Sequence, residues 1–292
     1  MLKYLPKALY HYSILSKIKV VIMMMFATLA GMLITPKHLQ QPITMMLGLA
    51  GILLHALCSA ALNQIYESDI DHKMQRTQHR PLAKKTLNKH KTTYVVYSTF
   101  LMGTGILWYG TNTLATLLSV LTTFAYAIIY TRVLKPLTPQ NIVIGGLSGA
   151  MPPLLGWTCL QPSIDVAPMI LVLIIFAWTP AHFWPLAIHN LADYQKAQLP
   201  MLPVTHGVDF TTLCIVAYTI LTAATSLLPF CVGLCSYIYL ICACLLNIKF
   251  IHMAFTLHRT KKHPMHMFGY SIIYLYVLFS LLVIDHYFLL SV

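Results

Sequence analysis

The sequence predicts an all-α polytopic membrane protein, and three observations support this: its composition, the length of its apolar runs and the placement of its charges. The 292-residue chain is 58% hydrophobic and only 9% charged, and its mean hydropathy is +0.71. Soluble domains carry roughly 25% charged residues, so this chain has too little polar surface for a water-soluble globule. Apolar runs of about 20 residues, the length that crosses a bilayer as a helix, recur along the whole sequence.

Nine apolar runs define the predicted elements. In chain order they cover residues 18–36, 42–66, 92–110, 112–131, 142–160, 166–190, 210–233, 236–256 and 267–290. The first resembles a signal peptide, with Ala27 and Ala30 as a candidate cleavage site, but we expect it to remain as an uncleaved first helix. Pro152 and Pro153 predict a kink in the fifth element. No linker or low-complexity segment interrupts the series, which predicts a single transmembrane domain over residues 1–292.

The basic residues fall almost entirely on one side of this arrangement. Eighteen of the nineteen Lys and Arg lie at the N-terminus or beside the connections that follow even-numbered spans, and only Lys37 falls opposite. The positive-inside rule therefore predicts a cytoplasmic N-terminus and an outward C-terminus. Because the net charge of +12 follows the topology, it requires no nucleic-acid partner, although part of it can contact anionic lipid.

The first polar cluster, NQIYESDIDHKMQRTQHRPL at 63–82, follows the second apolar run. Asn63, Glu67 and Asp71 are spaced i, i+4, i+8 and therefore share one face of a helix. Lipid offers such groups no partners, so they are expected to face the bundle interior or a water-filled cavity. Two carboxylates and an amide oxygen are hard ligands that suit Mg²⁺, which takes one or two carboxylates plus substrate phosphates.

Arg76 and Arg80 extend this pattern as a further i, i+4 pair, and guanidinium groups bind phosphate oxygens with two N–H groups at once. Acid, metal and arginine together predict a diphosphate site, and Lys135 in the next charged connection is a candidate to reach it. The alternative is a solvated helix end with salt bridges. That alternative is expected for five charged residues of the cluster and its continuation: Asp69, Lys84, Lys85, Lys89 and Lys91.

A second polar cluster, WTPAHFWPLAIHNLADYQKAQLPMLPVTHG at 178–207, ends the sixth apolar run. His189 and Asp193 repeat the i, i+4 spacing of the first cluster, so the two acidic helix ends are predicted to face each other across one cavity and to hold one or two metal ions. His182 lies on roughly the same helix face as Trp178 and His189. This stripe favours a substrate or cofactor pocket over a histidine that only bonds a backbone carbonyl.

Three glycines lie between the clusters, at Gly145, Gly146 and Gly149. Glycines in a membrane helix permit close helix packing or the close approach of a flat ligand. The sequence favours packing at least as strongly as ligand binding.

Four motifs in this order resemble the haem O synthase family, the protohaem IX farnesyltransferases of the UbiA superfamily of intramembrane prenyltransferases. They are N…E…D…KMQRTQHRPL at 63–82, YT…LK…TPQNIVIGG…GAMPPLLGW at 130–157, WTPAHFW at 178–184 and DY…LPMLPVTHG at 193–207. The resemblance implies nine helices around a central cavity, Mg²⁺ as cofactor, and farnesyl diphosphate and haem b as substrates. The implied reaction joins farnesyl to the 2-vinyl group of haem b and gives haem O for terminal oxidase assembly.

The resemblance also implies roles for individual residues. Mg²⁺ would be held by Asn63, Glu67, Asp71 and Asp193, and the diphosphate by Arg76 and Arg80. From their positions in the sequence, Lys135 is a further candidate for the diphosphate, and His182 and His189 are the candidates for haem. Aromatic faces suited to an allylic cation are those of Trp157, Trp178, Phe183 and Trp184. The implied location is the bacterial or mitochondrial inner membrane, with haem A synthase or terminal oxidase assembly factors as further partners.

Five positions depart from the usual pattern of the family: Pro136, Ala181, Pro185, Asn190 and Leu191. Because family members usually carry basic residues at the first and the last two of these, a weakly active or repurposed paralogue stays open. Two further alternatives are a UbiA-type enzyme acting on a quinone precursor or another tetrapyrrole, and a secondary transporter. The motifs KMQRTQHRPL and WTPAHFW are closer to the haem branch, and a transporter does not explain oxygen ligands and arginines confined to one mouth.

Overall fold

The computed structural model describes residues 7–36 and 38–290, which form helices and turns without any strand. The predicted all-α class is therefore confirmed. Lys3 and Lys37, two of the basic residues on which the predicted topology depends, lie outside these ranges.

Helices α1 to α15 follow one another along the described chain. Their bounds are α1 Lys7–Leu15, α2 Ile18–Leu33, α3 Pro42–Asp71, α4 Lys89–Gly110, α5 Thr113–Phe124, α6 Lys135–Leu137, α7 Asn141–Ala150, α8 Pro152–Leu160, α9 Val166–His189, α10 Leu191–Lys196, α11 Leu202–Thr205, α12 Gly207–Ser226, α13 Leu228–Cys231, α14 Tyr237–Thr260 and α15 Pro264–Leu290. A short 3₁₀ turn, His38–Gln40, precedes α3. A π-helical segment, Ala125–Leu134, joins α5 to α6 without a break.

Seven helical segments of the described chain are long and apolar enough to cross a membrane: Pro42–Asp71, Thr113–Leu137, Asn141–Leu160, Val166–His189, Gly207–Cys231, Tyr237–Thr260 and Pro264–Tyr287. Two further predicted spans correspond to α2, which has 16 residues, and to α4, which has 22 residues but begins with Lys89, His90 and Lys91. The helical membrane architecture is confirmed, and the count of nine spans is approximate.

The prolines affect the two central elements differently. The fifth predicted element breaks at Met151 into α7 and α8, because Pro152 and Pro153 lack the N–H groups that would continue the first helix. Helix α9, by contrast, runs without a break through Pro180 and Pro185. Membrane helices tolerate such prolines where neighbouring groups satisfy the freed backbone atoms.

Helices α2 and α8 pack backbone against backbone. A Cβ atom on Gly156 would lie 2.1 Å from Thr28 O, and one on Gly31 would lie 2.1 Å from Pro153 O, so neither position accepts a larger residue without movement. Ala27 and Ala30, the candidate cleavage site, are buried at 5% and 2% exposure. The first apolar run is therefore part of the core.

The alternating helix directions bring five junctions to one end of the bundle, called the charged end here. These are the α1–α2 junction, the α3–α4 connection at 72–88, the junction of the π segment with α6 and α7, the α9–α12 connection and the α14–α15 connection. At the opposite end, Asp285 of α15 accepts hydrogen bonds from the main-chain N–H and the hydroxyl of Ser236. The fold thus places the predicted site residues of α3 and α9 at the charged end.

Candidate active site

Helix α3 carries the first three candidate metal ligands on its buried face. Asn63, Glu67 and Asp71 are 1%, 5% and 2% exposed, respectively. The predicted second span ends at residue 66, but α3 continues to Asp71. Because all three positions are helical, their i, i+4, i+8 spacing directs them to one face.

Each of these side chains is paired with a cation that lies elsewhere in the sequence. Arg80 Nη1 donates to both carboxylate oxygens of Asp71, at 2.9 and 2.8 Å, and lies 3.8 Å from Glu67 Oε2. The ammonium group of Lys135 donates to Glu67 Oε1, and that of Lys17 donates to Asn63 Oδ1. The site therefore holds three cations within reach of three oxygen ligands.

Lys17 is the least expected of these cations. It lies at the junction of α1 and α2 in a left-handed conformation, with φ 48°, which turns the chain sharply towards α3. Desolvation, followed by the positive charge of Arg80, lowers the pKa of its ammonium group to about 7. The negative charge of a bound ligand would favour the protonated form of Lys17 and so oppose the effects of desolvation and of Arg80. Lys17 is therefore suited to contact an anionic ligand.

The i, i+4 spacing of Arg76 and Arg80 does not place them on one helix face, because α3 ends at Asp71 and residues 72–88 form a series of turns. The hydroxyl of Thr77 donates to Asp71 O at 3.2 Å and so occupies a carbonyl that a further helical turn would use. Arg80 folds back onto Asp71, whereas the side chain of Arg76 is exposed. Arg76 instead contributes its main-chain N–H to the charged end.

That main-chain N–H joins the two polar clusters. Arg76 N donates to Asp193 Oδ2 at 3.0 Å, across 117 residues of sequence. Asp193 lies in the first turn of α10. Within the part of the chain that the structure describes, no three His, Cys, Asp or Glu side chains come close enough to form a metal site by themselves. Each of the four candidate ligands is therefore paired with a cation or with a main-chain N–H group.

A cavity of about 280 Å³ opens beside Glu67 and Lys135. Its other lining residues are Ile65, Tyr66, Ile70, Lys89, Thr131, Arg132, Pro136 and Leu199. Lys89, expected as a solvated surface charge, is exposed but also lines this cavity and donates to Ser68 Oγ at 3.0 Å. The cavity therefore combines three cations with one carboxylate and an apolar wall, which suits a phosphate-bearing amphiphile.

The π segment carries two groups of the site. Thr131 accepts a hydrogen bond from Asn63 Nδ2 at 3.1 Å and donates to Tyr126 O at 2.8 Å. Arg132 places its guanidinium 5.2 Å from the centre of the Tyr66 ring, a cation–π contact. Departures from α-helical geometry of this kind are frequent at functional sites.

Two of the three glycines serve packing around this segment. A Cβ atom on Gly145 would lie 2.1 Å from the ring of Tyr130, and one on Gly146 would lie 3.1 Å from the side chain of Thr179. Gly149 has open space around it. Gly145 therefore sets how closely α7 approaches the π segment.

His182 of α9 lies in an aromatic stack. Its ring is 4.2 Å from that of Trp178 and 4.5 Å from that of Phe268 on α15, with interplanar angles of 13° and 24°. Its Nδ1 is 2.7 Å from Ser271 Oγ. Because that hydroxyl donates to Phe268 O at 2.6 Å, it accepts from His182 Nδ1–H, which leaves the Nε2 lone pair available to a ligand.

Apart from Trp178 and Phe268, which stack on His182, the other candidate residues lie elsewhere. His189 is exposed at the end of α9, about 10 Å further along the helix axis. Trp157 donates to Asp165 at 2.9 Å in the connection from α8 to α9, which lies at the opposite end of the bundle. Trp184 packs edge-on against Tyr218 of α12. The position of Trp157 at the opposite end does not support the expectation that it stabilises the allylic cation.

The positions that depart from the family pattern have identifiable surroundings. Pro136 lines the cavity. Ala181 and Pro185 are buried within α9, and Asn190 Nδ2 closes the end of that helix by donating to Leu186 O at 2.8 Å. Leu191 begins α10. Only Pro136 adjoins the charged cavity, so the four other departures do not replace a residue that lines it.

Sequence reasoning did not assign site roles to Lys17, Thr131 and Arg132. Thr131 belongs to a quoted motif, and its position four residues before Lys135 is the one signal that connects it with the site. Lys17 and Arg132 carry no local signal beyond their charge, because their partners are 46 and 66 positions away.

Comparisons with known proteins identify the family of the chain. The UbiA prenyltransferase family matches residues 24–284. The chain is 44% identical to protoheme IX farnesyltransferase 1 of Pseudomonas entomophila over 282 residues, 96% of this chain and 94% of that protein. It is 45% identical to the protoheme IX farnesyltransferase of Thioalkalivibrio sulfidiphilus over 278 residues, 94% and 92% of the two chains.

Solved structures share the fold at low sequence identity. A digeranylgeranylglyceryl phosphate synthase structure superposes with a TM-score of 0.79 at 17% identity, covering 96% of this chain and 99% of that one. A UbiA homologue from Archaeoglobus fulgidus, bound to GPP and Mg²⁺, superposes with a TM-score of 0.65 at 13% identity, covering 97% and 100%. These likenesses establish the architecture of the helices.

Proposed function

The chain belongs to the UbiA prenyltransferase family, and on that premise we propose that it transfers a farnesyl group from farnesyl diphosphate to the 2-vinyl group of haem b. The product is haem O, which serves terminal oxidase assembly. The observation that carries this proposal is 44–45% identity, over nearly the whole chain, to proteins named protoheme IX farnesyltransferase. The chain is accordingly a transferase.

The oxygen ligands of the charged end fit Mg²⁺ by their chemistry. Asn63, Glu67 and Asp71 are hard donors on one face of α3. Asp193 accepts a hydrogen bond from the main-chain N–H of Arg76, which lies in the connection that follows α3. Mg²⁺ keeps several waters and takes the rest of its ligands from substrate phosphates, so it does not need a complete protein cage. Bound there, Mg²⁺ would neutralise charge that develops on the departing diphosphate.

The cations of the site would bind the diphosphate itself. Arg80 and Lys135 already lie against Glu67 and Asp71, and Lys17 lies against Asn63. Oriented positive charge in a site with little water stabilises a leaving group more strongly than it would in solution. Arg76, whose side chain is exposed, would close over the phosphates from the 72–88 connection.

Haem b would lie deeper in the bundle than the diphosphate. Nε2 of His182 is a neutral nitrogen donor of the kind that binds haem iron, and the flat stack of Trp178, His182 and Phe268 is a surface that a porphyrin ring can extend. His189, exposed at the charged end, would meet haem at the entrance. An apolar interior suits two substrates that both partition into the bilayer.

The protein is an integral membrane protein by its seven long apolar helices and its family. We place it in the bacterial inner membrane or its mitochondrial equivalent, as one transmembrane prenyltransferase domain over residues 1–292, with the N-terminus inside. Haem A synthase or oxidase assembly factors would receive its product.

Reconstitution tests the proposal directly. The purified chain in lipid vesicles should convert haem b and farnesyl diphosphate into haem O when Mg²⁺ is present, as measured by mass spectrometry of the extracted pigments. Chelation of Mg²⁺ should stop the conversion. Transfer to a hydroxybenzoate instead of haem would establish the quinone-precursor alternative, and the absence of transfer to either acceptor would contradict the proposal.

A further inference from the structure

Helix α1 reaches the charged end as a short arm that packs on α3. It spans Lys7–Leu15, and residues 16 and 17 form the whole turn between it and α2. Leu15 is 1% exposed and belongs to one hydrophobic cluster with Leu62 and Ile65 of α3. The last turn of α1 is therefore anchored on the helix that carries the candidate metal ligands.

The side chain of Gln64 holds the end of α1. Its Nε2 group donates to Ile14 O at 2.8 Å and to Leu15 O at 2.9 Å. These carbonyl groups belong to the last turn of the helix, where the N–H partners of a continuing helix are missing. Gln64 is 1% exposed, so solvent does not readily replace either bond. Because both partners are acceptors, only a group with two N–H donors makes both bonds.

Two consecutive residues of α3 hold the same turn. The ammonium group of Lys17 donates to Asn63 Oδ1, while Gln64 binds the main chain two and three residues before Lys17. Lys17 has φ 48°, a left-handed conformation that is usually taken by glycine at the end of a helix. Backbone preference therefore does not explain a lysine at this position, whereas the contact of its side chain with Asn63 does.

We propose that Gln64 is a positioning residue for the binding of the prenyl diphosphate, because it docks α1 on α3 and so places the ammonium group of Lys17 in the site. The inference rests on the proposed function, which puts the diphosphate at the metal-ligand face of α3. Gln64 touches no substrate itself, since its amide group is used by α1. Without this docking, the site keeps Arg80 and Lys135 but loses its third cation.

Two substitutions separate the docked turn from the side chain that it carries. Gln64→Met keeps the length of the side chain and removes both donors. A helix of nine residues is marginal without tertiary contacts, so hydrogen exchange of α1 should become faster. The affinity of the full chain in vesicles for farnesyl diphosphate with Mg²⁺ should fall about tenfold, as expected for the loss of one hydrogen bond to a charged group.

Lys17→Gly removes the ammonium group but suits the left-handed turn. The affinity for farnesyl diphosphate should fall by a similar factor, while hydrogen exchange of α1 stays close to that of the parent. The double variant should bind no more weakly than Gln64→Met alone, because Gln64 acts through Lys17 and the two effects are not additive.

Asn247→Leu is the matched control. Asn247 of α14 is also a buried side-chain amide that links helices, since it donates to Ser226 Oγ at 2.9 Å and accepts from the hydroxyl of Tyr274 at 2.7 Å. Its loss should lower the midpoint of thermal unfolding and leave both the affinity for farnesyl diphosphate and the exchange of α1 unchanged. If Gln64→Met fails to fold, Gln64→Asn, whose amide is one methylene too short to reach both carbonyls, decides the matter.

The outcomes separate this inference from the proposed function. Binding is measured without haem, so a different acceptor leaves the test intact. If the parent chain does not bind farnesyl diphosphate with Mg²⁺, the proposed function fails and this inference falls with it. If the parent binds it and Gln64→Met binds it equally well, or if the effects of Gln64→Met and Lys17→Gly add in the double variant, Gln64 does not act through Lys17 and the inference is overturned.

Discussion

At the residue scale, the acidic groups of α3 are neutralised by cations from distant parts of the chain. Asp71 is paired with Arg80 and Glu67 with Lys135, and all four side chains are at most 15% exposed. Breaking a buried pair by removing one partner leaves an uncompensated charge. These residues should therefore tolerate substitution less well than exposed charges nearby.

Replacing Asp71 with Asn should remove most of the activity. The substitution keeps the size of the side chain but removes the negative charge that binds Arg80 and, by our proposal, Mg²⁺. Haem O formation in vesicles should fall about 100-fold. The matched control is Asp69→Asn, since Asp69 is an exposed carboxylate two residues away, and it should be nearly neutral. Near-normal haem O formation by the Asp71 variant would contradict the metal assignment.

Replacing His182 with Ala should affect haem and leave diphosphate binding nearly intact. His182 lies seven residues, about 10 Å along the axis, before the end of α9 at His189, and Asp193 follows in the separate helix α10, so the two are not placed to share a metal ion. The absorbance of bound haem should change or its binding should weaken, while affinity for farnesyl diphosphate stays close to that of the parent. Unchanged haem binding with weakened diphosphate binding would show that the two substrates are assigned to the wrong places.

At the element scale, the π segment is the part of the fold that brings the fourth predicted span to the site. It carries Thr131 to Asn63 and leads into Lys135, which contacts Glu67. Its outer side rests on α7, where Gly145 admits the ring of Tyr130. The packing of α7 against the π segment therefore determines where the ammonium group of Lys135 lies.

Replacing Gly145 with Ala should disturb this packing. The new methyl group would lie 2.1 Å from the Tyr130 ring, and overpacking of this kind costs about 1–3 kcal/mol. We expect a lower midpoint of thermal unfolding in detergent and a weaker affinity for farnesyl diphosphate. Gly149→Ala is the control, because no atom lies within 4 Å of the added carbon. Equal stability of the two variants would contradict this account of α7.

The sequence predicted those features of the site that depend on residues close to one another in the chain. Helical periodicity alone placed Asn63, Glu67 and Asp71 on one face, because a helix fixes relations between residues four apart. It failed at Arg76, because the chain leaves the helix after Asp71 and residues 72–88 form turns, in which an i, i+4 spacing does not place side chains on one face. It could not identify Lys17 as a partner of Asn63, because pairing across 46 residues depends on tertiary packing.

At the scale of the whole molecule, the polar chemistry is concentrated at one end of an otherwise apolar bundle. The charged connections meet there through contacts such as Arg76 with Asp193 and Lys135 with Glu67. Substrates with a charged head and a long apolar body would match this arrangement, since by our proposal the head binds at the charged end and the body enters the bundle.

The topology should be N-terminus inside and C-terminus outside. The placement of eighteen of the nineteen Lys and Arg on one side motivates this expectation. A reporter fused after Val292 should be active only on the outer side of the membrane, and a reporter fused within 72–88 should be active only on the inner side. A cytoplasmic signal from the C-terminal fusion would refute an odd number of spans.

The pairing of acids with cations at the charged end has a consequence for the order in which ligands arrive. A bare metal ion approaching Glu67 or Asp71 would have to separate an existing ion pair and would leave Lys135 or Arg80 buried without a counter-ion. By our proposal, the metal–diphosphate complex would offer both halves of each pair a new partner in one event. We therefore expect loading as a preformed complex rather than stepwise loading, and free Mg²⁺ above the concentration of farnesyl diphosphate should bring little further occupancy.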